Sequence, residues 1–416
     1  PLVLRASAGK CFVVTFTNNF TSTAKAFTTN DTNRPGTQPW RLSTLVGAFP
    51  SINAGLHPQM VHYDVTSDSG LAVGINPTDS VVPPGGTYTY RWYAGRLLPD
   101  LNNSRIVGQP VELGTANLLP SDFIEQPVNS MSAGLVVEPV GSKVVRTANT
   151  NLSVKIVDAQ NALLFREFVA LVQDRINLST PSSGVTTAFK AVNYGTEPMT
   201  YRYNLSKITN TSPTGPTGLV QAYANSLPVP GTSPATPSGQ PNTTIFRSVI
   251  GEPVRFRIAH PNGLGGFPDN VFTVHGHMWQ EEPYSSDSST IAFNRKSEWL
   301  GAKDGFGPQS HFEVVIPRSG GVNSIPGDYI YEDYTNTAAG IWGVFRVFKT
   351  QAELDADIGD VVKKNLRGKL FLVNPQAFAP DANLDPFLSD RAEELQKEDD
   401  DTVRESEQKP PQPPKP

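Results

Sequence analysis

The chain has 416 residues, 18% of them charged, and a net charge of −5. That balance argues against nucleic acid or an anionic membrane as the partner, and no apolar run reaches the length of a membrane span. The single cysteine, Cys11, excludes an intrachain disulfide and any cysteine-built zinc or iron–sulfur centre. Short segments rich in Val, Ile, Phe, Thr and Tyr are separated by many of the 34 glycines and 37 prolines. This pattern predicts an all-β chain of sandwiches or barrels, long enough for two or three domains.

The first predicted strands are Leu2–Leu4 and Cys11–Asn18, joined by a turn at Ala8-Gly9-Lys10. Cys11 stands where a small buried apolar residue would stand, so it reads as inert core. Val61–Val65 alternates and leads to a turn at Ser67–Gly70. Tyr88–Tyr93 follows the sharp turn Pro83-Pro84-Gly85-Gly86 and carries aromatic residues on one face. Ala133–Pro139 closes this first unit. The second opens at Phe165–Asp174, a buried strand ending in an acid. Residues 209–243, dense in Thr, Ser, Pro and Gly, read as a surface excursion. Strands resume at Pro253–Ile258, a clean alternation, and continue through 271–279, 311–316, 328–334 and 341–348.

These units set the predicted boundaries: one domain over 1–145, a second over 146–350 with an insertion near 209–243, a short extension over 351–385 and a charged, proline-rich disordered tail over 386–416. The start at Pro1-Leu2-Val3-Leu4, already within a predicted strand, reads as that of a processed chain or a piece of a longer one.

The chemistry-bearing segment is Phe272–Trp279, where His275 and His277, two of only six histidines, lie two residues apart on an apolar run. In an extended strand such residues share a face, so both imidazoles could converge on one metal ion. A copper centre that transfers electrons normally needs a thiolate as well, and Cys11 is far away in sequence. His57 and His62, five apart, fall on opposite faces and read as polar contacts. His260-Pro261 precedes the glycine-rich loop Gly263–Gly266 and is given a turn role. Glu281, Glu282 and Glu298 are either further ligands or solvated edge charges. Trp92, Trp279, Trp299 and Trp342 are expected in the sandwich cores.

Several segments resemble cupredoxin domains of multicopper oxidases: Arg5–Cys11, Tyr63-Asp64-Val65 with Gly74–Pro77, Tyr90–Gly95, Gly134–Pro139, Phe165–Asp174 and Pro253–Ile258. His275–Trp279, Ser297-Glu298-Trp299, Gly307–Phe312, Gly327–Tyr331 and Gly340–Gly343 look like the closing domain of large members. The resemblance covers roughly residues 1–350 and implies Greek-key β-sandwich domains, copper as cofactor, further cupredoxin domains or subunits as partners, and a periplasmic or extracellular location. It also implies a motif of the form His-Pro-x-His-x-His-Gly, in which His275 matches the third histidine while Asn270 and Thr273 occupy the first two places. In the later His-Cys-His motif, alignment on Gly340 places Tyr331 at the cysteine, flanked by Ile330 and Glu332, with Ile341 at the axial position.

Two readings of the histidines stay open. In one, His275, His277 and His311 form a copper or zinc site. In the other they are inherited framework, with His275 or His277 capping backbone carbonyls under Trp279. The expected function is that of a multicopper oxidase-like, copper-associated protein lacking an intact type 1 site, with no catalytic residue assigned; the alternative is a metal-free structural or partner-binding module.

Overall fold

In the strand Ala133–Glu138, Leu135 and Val137 point one way and Val136 and Glu138 the other, and all four are buried. A strand covered on both faces belongs to an inner layer. The computed structural model describes residues 1–20, 51–123, 125–128, 131–146, 151–180, 184–198, 222–225, 239–262, 270–285, 287–337 and 340–365. Over these residues the first strands are β1 (Leu2–Ser7), β2 (Cys11–Thr17), β3 (Leu56–Pro58), β4 (Thr87–Tyr93), β5 (Gly95–Asp100), β6 (Arg105–Pro110), β7 (Gly114–Pro120) and β8 (Ala133–Glu138). There follow β9 (Lys143–Arg146), β10 (Ser153–Val157), β11 (Leu163–Thr180), β12 (Gly184–Val192), β13 (Phe246–Val249), β14 (Val254–Asn262) and β15 (Asn270–Val274). The remainder are β16 (Trp279–Gln280), β17 (Trp299–Leu300), β18 (Ala302–Phe306), β19 (His311–Ile316), β20 (Gly327–Asp333) and β21 (Trp342–Phe348), and a helix spans Gln351–Asn365.

The all-β expectation holds. A four-stranded sheet of order β1-β8-β7-β3 faces the β2–β4 ribbon across a core that includes Phe12, Tyr90, Trp92, Leu118 and Leu135. A six-stranded sheet, β19-β14-β11-β10-β9 with β12 also on β11, faces a five-stranded sheet of order β13-β21-β20-β15-β18. Their shared core is aromatic, with Phe168, Phe246, Phe256, Phe272, Tyr331 and Phe345. Burying each such ring contributes about 2 kcal/mol of transfer free energy. The pairs β1–β8, β11–β14 and β13–β21 are parallel, so the chain crosses over between their members.

The two inner sheets meet back to back. Val3, Val136, Val169, Leu171 and Ala259 form an apolar cluster between them. The same period of two brings Arg5 of β1, Glu138 of β8, Glu167 of β11, Arg255 and Arg257 of β14 and Glu313 of β19 to this junction. The alternation expected at Pro253–Ile258 is therefore real, but its polar face lies in a second interior rather than in water: Arg257 is fully buried.

Other expectations are corrected. Cys11 is exposed, not core: β2 turns Phe12 inward, which puts Cys11 on the outer face of the ribbon. Residues 61–65 form no strand; only His62 bridges to Tyr93. The strand beginning near Phe165 continues past Asp174 to Thr180. Trp299 is 48% exposed and packs on Phe293 at the surface, whereas Trp92, Trp279 and Trp342 fill cores as expected. Residues 351–365 are helical. Most of the 209–243 excursion and all of the 386–416 tail lie outside the described residues.

One element stands apart from the layers. Among the described residues β5 and β6 pair only with each other. Their ribbon leaves Leu97, Leu98, Ile106 and Val107 exposed, with Leu101 at its tip 85% exposed.

Candidate functional site

Strand β15 ends at Val274, one residue before the histidine pair. Gly276 takes φ +71°, and the His277 N–H donates to the Val274 carbonyl at 3.2 Å. That left-handed conformation suits glycine, and a Cβ there would also meet the Tyr329 ring at 3.0 Å. The segment is a tight turn, not a continuing strand. The same-face argument for His275 and His277 therefore fails, and the two rings diverge.

His275 continues the outer face of the five-stranded sheet. Its backbone N–H donates to the Ile330 carbonyl at 2.9 Å, and its half-exposed ring places Nε2 2.9 Å from Glu332 Oε1. An ionised carboxylate only accepts, so Nε2 is the nitrogen that donates in this bond. The Glu332 carboxylate is buried, and its Oε2 accepts from the Thr337 hydroxyl at 3.0 Å and the Tyr223 phenol at 3.4 Å. Burial, and then the Glu332 charge, push the Tyr223 phenol up to about 12. Tyr223 packs edge-on against Trp342 beside an open cleft of about 370 Å³, also lined by Asp328 and Ile330.

His277 turns inward. Nδ1 donates to the His275 carbonyl at 3.0 Å, Nε2 accepts the Gly320 N–H at 3.1 Å, and the ring packs against Tyr329 and Phe345. Both nitrogens are thus engaged by backbone, and burial lowers the imidazole pKa. His311 lies on β19 in the register of Glu313, facing the junction between the sandwiches. His275 lies on the far face of the other sheet of that sandwich. A sandwich spans about 10 Å between sheets, so His311 and His275 cannot share an ion. Among the described residues, no three His, Cys, Asp or Glu side chains are grouped so that they could hold a metal.

The remaining positions of the copper motifs carry other chemistry. Tyr331 is fully buried and donates its hydroxyl to the Thr244 carbonyl at 2.6 Å, and burial raises the phenol above its usual range. Ile341 is buried and apolar. Asn270 is buried and accepts from Asn336 Nδ2 at 2.7 Å. His260 is not in a turn: it is a fully buried residue of β14, its Nδ1 3.4 Å from Asn270 Nδ2 and its ring beside Phe306. His57 bonds the Ser69 carbonyl through Nδ1 at 2.7 Å. Glu281 pairs with Lys303 at the surface. A phenol, an aliphatic side chain and a histidine already bonded at both nitrogens do not make a type 1 copper donor set, which needs a thiolate and free imidazole nitrogens.

No family model matches the chain, and no curated protein matches it. Among solved structures it is similar to a multicopper oxidase, mgLAC, at 15% identity over 83% of this chain and 76% of that one, with a TM-score of 0.43. It is similar to a second structure titled a multicopper oxidase at 14% identity over 83% and 77%, with a TM-score of 0.41. A third is the Blue Copper Oxidase from Nitrosomonas europaea, at 13% identity over 83% and 76%, with a TM-score of 0.41. The likeness is one of fold alone.

Proposed function

We propose that this chain is a non-catalytic β-sandwich module of multicopper oxidase type, which binds a protein partner and holds no copper centre for electron transfer. The observation that carries this reading is the engagement of His277 at both nitrogens by backbone, next to a Tyr331 that spends its hydroxyl on Thr244. His277 and Tyr331 are each committed to structural bonds instead of standing free as donors. The β5–β6 ribbon supports the partner-binding half. A lone two-stranded ribbon is marginal in water, and exposed apolar side chains on it mark a contact surface. Further cupredoxin domains or subunits are the partners this reading favours. A periplasmic or extracellular setting accords with it; no helix among the described residues is long and apolar enough to cross a membrane.

Copper titration of the whole chain, followed by visible absorption and electron spin resonance, tests the reading. The expected result is no intense blue band and no copper signal that depends on His277. A blue band, or a signal lost in His277→Ala, would overturn it. A second reading rests on the His275–Glu332 bond, because a carboxylate on one imidazole nitrogen orients the other toward a metal. A copper or zinc site lost in His275→Ala but kept in His277→Ala would favour that second reading.

A further inference from the structure

At the junction of the two sandwiches, three guanidiniums face four carboxylates: Arg5, Arg255 and Arg257 against Glu112, Glu138, Glu167 and Glu313. Glu138, Glu167, Arg257 and Glu313 are each at most 1% exposed at the side chain. Fully ionised, the cluster would bury one uncompensated negative charge, a heavy cost in a low-dielectric interior. A proton taken up by one carboxyl removes that cost.

The hydrogen bonds identify which carboxyl. Glu313 receives the Thr115 N–H at 2.6 Å on Oε1 and Arg257 Nη1 at 2.7 Å on Oε2. Glu112 receives Arg255 on Oε1 and the Ile291 N–H at 3.0 Å on Oε2. Glu167 receives Arg5 on Oε1 and Arg257 Nε at 2.8 Å on Oε2. Those three have on each oxygen a donor no further than 3.0 Å. Glu138 is the least well served: its Oε1 shares Arg5 Nη1 with Glu167 Oε1, and its Oε2 meets Arg257 Nη2 only at 3.3 Å. With both Oε1 atoms on one guanidinium nitrogen, the two carboxylates repel each other unless one of them carries a proton.

We propose that the Glu138–Glu167 pair is a proton-operated latch between the two sandwiches, closed while one proton is shared there and loosened when that proton leaves. Glu138 sits on β8 of the first sandwich and Glu167 on β11 of the second, so the contact that depends on the proton, made through Arg5 Nη1, crosses the junction. The other groups facing the pair are the five charged residues named above; Tyr284 lies near Glu313 and Arg257, and His311 stands further along β19. The energetics run in the same direction. Burial, and then the Glu167 charge, push Glu138 up to about 8, while Arg5 and Arg257 hold Glu167 down to about 2. Burial also pushes Glu313 up to about 7, but its two donors lie at 2.6 Å and 2.7 Å, whereas Glu138 has one donor shared with Glu167 and the other at 3.3 Å, which leaves the proton to Glu138.

The sign follows from linkage. The folded chain keeps a proton on Glu138 that the unfolded chain releases above the ordinary carboxyl range, so this contribution to stability falls as pH rises and is gone above about 8. Between pH 7 and pH 9 the unfolding equilibrium constant of the whole chain should rise about tenfold from this group. Glu138→Gln, which keeps a neutral donor in place of the acid, should remove that rise, and hydrogen exchange at Val136 and Val169 should show the same contrast. An equal rise in both proteins would overturn the latch. Should Glu138→Gln fail to fold, calorimetry of the unaltered chain at pH 8, where His57, His277 and His311 no longer take up protons on unfolding, provides the test in buffers of different ionisation enthalpy. Release of about half a proton on unfolding supports the latch; no release, or uptake, overturns it.

Discussion

The His275 ring and the Glu332 carboxylate are joined at 2.9 Å on the outer face of the second sandwich, one half in solvent and the other buried. The bond crosses between β15 and β20, so it depends on a register in which Thr273 stands opposite Glu332 and the His275 N–H reaches Ile330. It fixes the tautomer with hydrogen on Nε2. Nitrogen-15 NMR of the His275 ring should report that tautomer in the unaltered chain and a mixture of both in Glu332→Ala. Because the imidazole is half exposed, losing the bond should cost no more than about 1 kcal/mol of stability.

Tyr331 ties β20 to the segment before β13. Tyr331→Phe keeps the ring among Phe246 and its neighbours but leaves the Thr244 carbonyl without that donor. The bond is only partly buried, and losing such a bond costs about 0.5–1.5 kcal/mol, so urea denaturation should show a loss in that range with an unchanged slope.

His277 makes the acid side of the stability curve testable. Burial lowers its pKa below 6.5, so the unfolded chain takes up a proton before the folded chain does. Its contribution is complete above pH 6.5 and is lost as pH falls through the lower folded value. Burial shifts His57 and His311 in the same direction. From pH 7 to pH 5 the melting temperature of the unaltered chain should therefore lose ground to that of His277→Asn, which cannot be protonated; comparing the two proteins cancels the opposite trend from Glu138. An identical slope in the two proteins would show that His277 does not contribute.

The strand pattern was legible because burial imposes a period of two, and the segments around β4, β8, β14 and β20 were found from it. Which face met water was not legible. Cys11 was assigned inward and is outward, since alternation gives two faces without saying which one another sheet covers. Arg255 and Arg257 look like solvent residues in sequence, yet the polar face of β14 packs against the first sandwich. His275 and His277 lie two apart, but Gly276 takes a positive φ that only the folded turn displays, and it breaks the strand between them. Glu332, 57 residues from His275, carries no local sign of partnership.

Arg257 is the centre of the junction, with Glu167 and Glu313 bound directly and Glu138 close by. Arg257→Met keeps much of the volume and removes the charge, leaving buried carboxylates unpaired. Breaking such a pair typically costs about 3–5 kcal/mol. The loss should be larger at pH 8 than at pH 5, because the stranded carboxylates can take up protons at the lower pH. Denaturation midpoints at the two pH values check both the size and the direction; equal losses would mean that the carboxylates are not the groups affected.

The β5–β6 ribbon offers the most direct test of partner binding. Directly opposed residues share a face, so Pro99 and Ile106 lie on one side and Leu98 and Val107 on the other. Neither side is covered by another strand among the described residues. Replacing Leu98 and Ile106 by serine removes apolar surface from both faces without touching either core. Were these side chains structural, the melting temperature would fall. As contact residues they should leave it within a degree or two, since exposed substitutions away from packed features change stability by about 0.5 kcal/mol or less. The same double variant should show weaker self-association in sedimentation velocity, or weaker binding to an added cupredoxin-domain partner. Unaltered association together with a lower melting temperature would assign the ribbon to the fold of this chain instead of to a partner.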